Sequence, residues 1–160
     1  MSQHFNKADA WRSRGRATLA AMKPKVLLVD DEADFVQLTE YHLAQQGFDV
    51  FAAFNGVEAL HQARRILPDV ILLDLMLPDL DGASVCEILR SQPSTADVPV
   101  IVVSALDGMV TRGKGAEAGI NGYFKKPVDL KSLGDCLRNI VVQQQEQLKL
   151  RMKGESSEGG

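Results

Sequence analysis

The sequence predicts a doubly wound α/β domain, a five-stranded parallel sheet with helices on both faces. Three observations predict it. Apolar runs of strand length recur five times and alternate with stretches of helical periodicity. Three of those runs, "KVLLVD", "DVILLDL" and "VPVIVVSA", are almost continuously apolar, as strands buried on both faces require. No self-similarity at the period of a solenoid is present.

The elements follow in order. "KVLLVD", from Lys25, is the first strand. "DEADFVQLTEYHLAQQG" is a helix whose inner face is assigned to Phe35, Leu38 and His42 or Leu43, with Gly47 at its C-terminus. "FDVFAAF" is the second strand. "NGVEALHQARRILP" is a helix opened by a capping box, Asn55 with Glu58, and closed by Pro68. "DVILLDL" is the third strand, and "ASVCEILRSQ" a short helix ahead of Pro93. "VPVIVVSA" is the fourth strand, "MVTRGKGAEAG" a glycine-interrupted helix, and "GYFKK" the fifth strand. "DLKSLGDCLRNIVVQQQEQLKLRMK" is a long last helix with Leu130, Leu133, Leu137, Ile140 and Val141 as its apolar stripe.

Three segments result. Residues 1–23 form a basic arm, Lys7, Arg12, Arg14, Arg16 and Lys23 against Asp9, expected to be flexible. It could also be a short basic helix carrying Trp11 that docks on an acidic surface. Residues 24–142 form the folded domain. Residues 143–160 are a helical extension ending in "KGESSEGG", which is polar, glycine-rich and expected to be disordered.

Composition narrows the function. The 160 residues are 45% apolar, enough for a real core, and the net charge of −3 gives no global field for nucleic acid. Cys86 and Cys136 have no near partner, so neither a disulfide scaffold nor a zinc site is expected, and a reducing compartment fits. No apolar run approaches the ~18–20 residues of a membrane span. A cytoplasmic protein is expected.

Ligands of an open parallel sheet bind at the carboxyl ends of its strands. Asp30 and Asp31 follow the first strand, Asp74 stands near the end of the third, Ser104 at the end of the fourth and Lys126 at the end of the fifth. Three acids, one hydroxyl and one ammonium thus converge on one rim. Carboxylate oxygens suit Mg²⁺, which would also relieve the repulsion within Asp30–Asp31–Glu32. A neighbouring aspartate could attack a phosphoryl group, whose oxygens a lysine, a hydroxyl and the metal would balance. Taken singly, Asp30 and Asp31 could cap the first helix. Asp74, between "ILL" and "LML", is harder to explain as a solubility residue.

"VLLVDDE", "LLDLMLPDLDG", "VSA" and "KKP", in this order and spacing, resemble the receiver domain of bacterial two-component response regulators over residues 24–142. The resemblance implies a flavodoxin-like strand order 2-1-3-4-5. It implies that Asp74 accepts a phosphoryl group from a sensor histidine kinase or phosphotransfer protein. Asp30, Asp31, Asp74 and the backbone carbonyl of Met76 would hold Mg²⁺, with Mn²⁺ as an alternative. Ser104 and Lys126 would contact the phosphoryl oxygens, and the bond into Pro127 would be cis. Ser104 and Tyr123 would act as the switch pair, and a downstream protein would read the surface of the fourth helix, fifth strand and fifth helix. The resemblance implies a signalling switch rather than an enzyme. Met76 and Leu106 stand where the family tunes phosphoryl lifetime; both are apolar, so slow self-dephosphorylation is expected.

No basic recognition helix follows the receiver-like region, so an output through protein contacts rather than nucleic acid is expected. Arg112 and Glu117 fit part of a charged dimer pattern, but Ser132 and Cys136 do not, and a homodimer stays open. A second reading is a phosphatase of the haloacid dehalogenase type, whose D-x-D "DLDGA", Asp79 to Ala83, superficially matches. A third is a flavodoxin relative, which the acidic loop disfavours because it would repel an anionic flavin phosphate.

Overall fold

The computed structural model describes residues 23–107 and 119–157. Five strands, β1 (Lys25–Val29), β2 (Asp49–Ala53), β3 (Val70–Leu73), β4 (Val100–Ser104) and β5 (Gly122–Lys125), pair in parallel in the order β2-β1-β3-β4-β5. Four helices are described: α1 (Ala33–Gln45), α2 (Gly56–Ile66), α3 (Gly82–Ser91) and α4 (Leu130–Ser157). The helix expected at "MVTRGKGAEAG", with Arg112 and Glu117, and the basic arm lie outside the described residues, apart from Lys23 and Gly119.

Alternation along the central strands builds two cores. Leu27, Val29, Ile71 and Leu73 face α2 and α3, meeting Leu60, Ala63, Val85 and Leu89. Val26, Leu28, Val70 and Leu72 face α1 and α4, meeting Val36, Leu43, Leu133 and Leu137. Successive side chains point to opposite faces, so a strand covered on both sides must be apolar at every position. β1, β3 and β4 are.

The caps expected from the sequence are partly realised. The Glu58 N–H donates to Asn55 Oδ1 at 2.8 Å, and the Glu58 carboxylate accepts from the Phe54 N–H at 3.1 Å, one residue ahead of the usual reciprocal bond. Leu67, at φ 50°, ends α2 before Pro68. Gly47 ends α1 at φ 94°, a backbone state that favours glycine.

Two expectations are corrected. Phe35 and Leu43 pack inward on α1 as expected and are joined there by Val36 and Thr39, while Leu38 is 54% exposed and His42 is exposed. A polar threonine, Thr39, takes the core position expected for Leu38. The tail expected to be disordered from Lys153 onward is helical as far as Ser157. Its last turns satisfy carbonyls locally, with Ser156 Oγ donating to the Met152 carbonyl at 2.9 Å and Ser157 Oγ to that of Gly154.

Candidate functional site

The ladder continues past the strand ends and fixes the residues that leave them. The Asp30 N–H donates to the Ala53 carbonyl at 3.0 Å, the Asp74 N–H to that of Val29 at 2.9 Å and the Lys126 N–H to that of Ser104 at 2.8 Å. Three chemistry-bearing side chains are thus set by backbone pairing. Ser104 is itself the last residue of β4.

The side chains meet. Lys126 Nζ lies 2.7 Å from Asp30 Oδ2 and 3.3 Å from Asp74 Oδ2. Asp30 and Asp74 are buried, and one oxygen of each of Asp30, Asp31 and Asp74 falls within 4.8 Å of the others. Each buried carboxylate is turned by a local N–H. Asp30 Oδ1 accepts from Glu32 at 2.9 Å, and Asp74 Oδ1 accepts from Met76 at 3.0 Å. Ser104 is fully buried, and its Oγ accepts from the Leu106 N–H at 3.4 Å.

Burial pushes the Asp30 carboxyl above its ordinary pKa, against the hydrogen bond from Lys126 and the field that would lower it. Burial also works against the Lys126 charge, but the Asp30 hydrogen bond and the fields of Asp30 and Asp74 hold the ammonium above its ordinary value. Two buried acids face one cation, so negative charge is left over. Hard oxygen donors this close, with that excess, fit a divalent cation of the Mg²⁺ type.

Neither Asp30 nor Asp31 caps α1. Glu32 holds the N-cap position, and no side chain caps it. The D-x-D reading fails on the same kind of evidence. Asp79 accepts the Gly56 and Val57 N–H groups at the start of α2, and Asp81 accepts that of Ser84 at the start of α3. Both acids are helix caps away from the cluster.

Tyr123 is half-buried in β5 and registers with Val102, two residues before Ser104, so Tyr123 and Ser104 share one face of the sheet. The Lys126–Pro127 bond is cis. Met76 is 56% exposed and Leu106 39% exposed.

Two neighbours of Lys126 were not assigned from the sequence. Glu32 Oε1 is 3.4 Å from Nζ, and the centre of the Phe35 ring is 4.3 Å away. Glu32 was visible in "VLLVDDE" without a role. The helical spacing marks Phe35 as a core position of α1, and no spacing rule singles it out as a neighbour of the lysine.

Residues 26–138 match the response regulator receiver domain family model. The Response regulator PleD of Caulobacter vibrioides is 42% identical over 120 residues, covering 75% of this chain and 26% of that protein. The chain spans between a quarter and a half of the length of the curated relatives it matches. Among solved structures, the Francisella response regulator 1452 receiver domain is 34% identical with a TM-score of 0.71, covering 76% of this chain and 99% of that one. The receiver domain of sensor histidine kinase PA1611 from Pseudomonas aeruginosa, solved with a magnesium ion in its active-site cleft, is 31% identical with a TM-score of 0.69 and covers 75% and 98%. No helix among the described residues is long and apolar enough to cross a membrane. With five parallel strands in the order 2-1-3-4-5 and an acidic cluster on their carboxyl rim, the chain belongs to the response regulator receiver domain family.

Proposed function

We propose that this chain is a phosphorylation switch in which Asp74 takes a phosphoryl group from a histidine kinase or phosphotransfer protein. An Asp74 carboxylate oxygen attacks phosphorus, and the phosphorus–nitrogen bond of the phosphohistidine breaks. The imidazole leaves with the bonding electrons and takes up a proton, and the product is an acyl phosphate. The observation that carries the reading is the Lys126 ammonium lying between Asp30 and Asp74, with the hydroxyl of Ser104 at the adjacent strand end.

Each side chain has a task. Asp30, Asp31 and Asp74, with the Met76 carbonyl, are the ligand set for Mg²⁺, or for Mn²⁺ in its place. When bound, the cation supplies positive charge beside the phosphoryl oxygens. Lys126 balances a second share of that charge, and Ser104 donates a hydrogen bond to a phosphoryl oxygen. Drawing the Ser104 hydroxyl inward leaves space that Tyr123, on the same sheet face, fills. A downstream protein in the cytoplasm reads the changed surface beside β5, so the output is a protein contact rather than catalysis. Met76 and Leu106 keep water from the acyl phosphate, so the signal decays slowly.

Incubation with acetyl phosphate and Mg²⁺, read by intact mass, tests this. The wild type gains one phosphoryl group and Asp74→Asn gains none. A wild type left unmodified, or labelling that survives in Asp74→Asn, overturns the proposal.

A further inference from the structure

Lys126 is enclosed on four sides, and only one of the four is not a carboxylate. Its ammonium touches Asp30 Oδ2, Asp74 Oδ2 and, at 3.4 Å, Glu32 Oε1, and it lies 4.3 Å from the centre of the Phe35 ring. Asp30 and Asp74 belong to the trio whose oxygens can share a divalent cation. Once they do, their charge is divided between that cation and the lysine, and their hold on Nζ weakens. The Glu32 side chain is 64% exposed, where water and salt screen it. Phe35 differs from all three. It offers the metal no lone pair, so its attraction for the ammonium is not drawn away. It is also fixed in place, in the first turn of α1 and packed on the core of Val26, Leu28 and Val36.

We propose that Phe35 is a positioning residue for Lys126. Its ring face holds the ammonium beside Asp74 while Asp30 and Asp74 engage the divalent cation, so that the lysine is already placed for the phosphoryl oxygens. The inference rests on the reading of Asp74 as the phosphoacceptor and adds the group that keeps its partner in position.

Two readouts test it on the full chain. The first is the proton shift of the Lys126 ε-methylene by NMR, which the ring current of Phe35 moves upfield. That displacement is expected to persist when Mg²⁺ is added, and its collapse to an ordinary lysine value overturns the proposal. The second is calorimetric affinity for beryllofluoride, a phosphoryl mimic, in saturating Mg²⁺. Phe35→Leu keeps apolar bulk without the ring face and is expected to bind about three- to tenfold more weakly, the range a partly buried cation–π contact supplies. Phe35→Tyr is expected to bind as the wild type does, and Mg²⁺ affinity alone is expected to be the same in all three. Phe35→Met serves in the same role if the leucine variant does not fold. Wild-type affinity in the leucine or methionine variant overturns the proposal. A loss of affinity shared equally by Phe35→Tyr assigns the ring to packing alone and overturns it as well. If the wild type takes up no beryllofluoride, the phosphoacceptor reading falls first and this inference with it.

Discussion

Asp79 Oδ1 accepts a hydrogen bond of 2.7 Å from the Gly56 N–H, so the loop that follows β3 caps the helix that follows β2. The second oxygen accepts from Val57 at 2.9 Å, and these two N–H groups hold the Asp79 carboxyl below its ordinary pKa. A carboxyl more acidic in the folded state stabilises the fold above its unfolded pKa and ceases to do so as pH falls through the folded value. Asp79→Ala is therefore expected to lower the urea midpoint at pH 7. The gap from wild type should close below the usual carboxylate range. Parallel urea curves at pH 7 and pH 3 check this, and a gap that widens in acid contradicts it.

Asp30 runs the other way. Its carboxyl is raised by burial, so the folded state is less stable with the group ionised, and stability falls as pH climbs through the interval between the unfolded and folded values. In EDTA at pH 8, Asp30→Asn is expected to unfold at higher urea than the wild type. Added Mg²⁺ should then stabilise the wild type more than the variant.

Gly82 is a packing constraint on the loop of Asp74. A Cβ there would lie 2.7 Å from Leu75 Cα and 2.9 Å from the Asp74 carbonyl oxygen, and backbone cannot move aside as a side-chain tip can. Gly82→Ala is expected to cost about 1–3 kcal/mol of stability, the usual range for overpacking. It should also slow labelling by acetyl phosphate, since the displaced backbone carries Asp74. Denaturant curves and intact-mass time courses read the two effects separately.

On the proposed function, Met76 and Leu106 would set the lifetime of the acyl phosphate. Both are part-exposed and apolar, and neither can orient a water. Loss of radiolabel from the wild type is expected to take minutes or longer, and Met76→Asn should shorten it severalfold. Completion within seconds in the wild type would contradict the assignment.

Val141 is the last buried residue of α4. Among the described residues, a chain cut after Val142 loses exposed or half-exposed positions only. Its folding stability is expected to stay within about 0.5 kcal/mol of the full chain, as for surface changes generally. Unchanged sedimentation would exclude a dimer held by the extension, and a larger loss of stability would show that residues 143–157 pack on the domain.

Most of the site could be read from residue types because a parallel sheet delivers its strand ends to one rim. Asp30, Asp74, Ser104 and Lys126 needed only correct strands to be brought together. The family resemblance added what spacing could not, the strand order and the cis bond before Pro127. Helix phase was read less well. In α1 the sequence offers Leu38 and Tyr41 as readily as Val36, and both stand in solvent because the sheet accepts Thr39 instead. Apolar residues on an exposed face carry no local mark that separates them from core residues. Asp79 and Asp81 match a D-x-D pair only superficially, and each carboxylate is spent on a helix start.

The 28 residues of α4 give the domain a mechanical arm. From Val141 to Ser157 the helix reaches about 24 Å at 1.5 Å per residue, with no turn to absorb a bend. A tilt of about 5° at its root would swing the tip by about 2 Å, so a small adjustment beside the sheet arrives magnified at the far end.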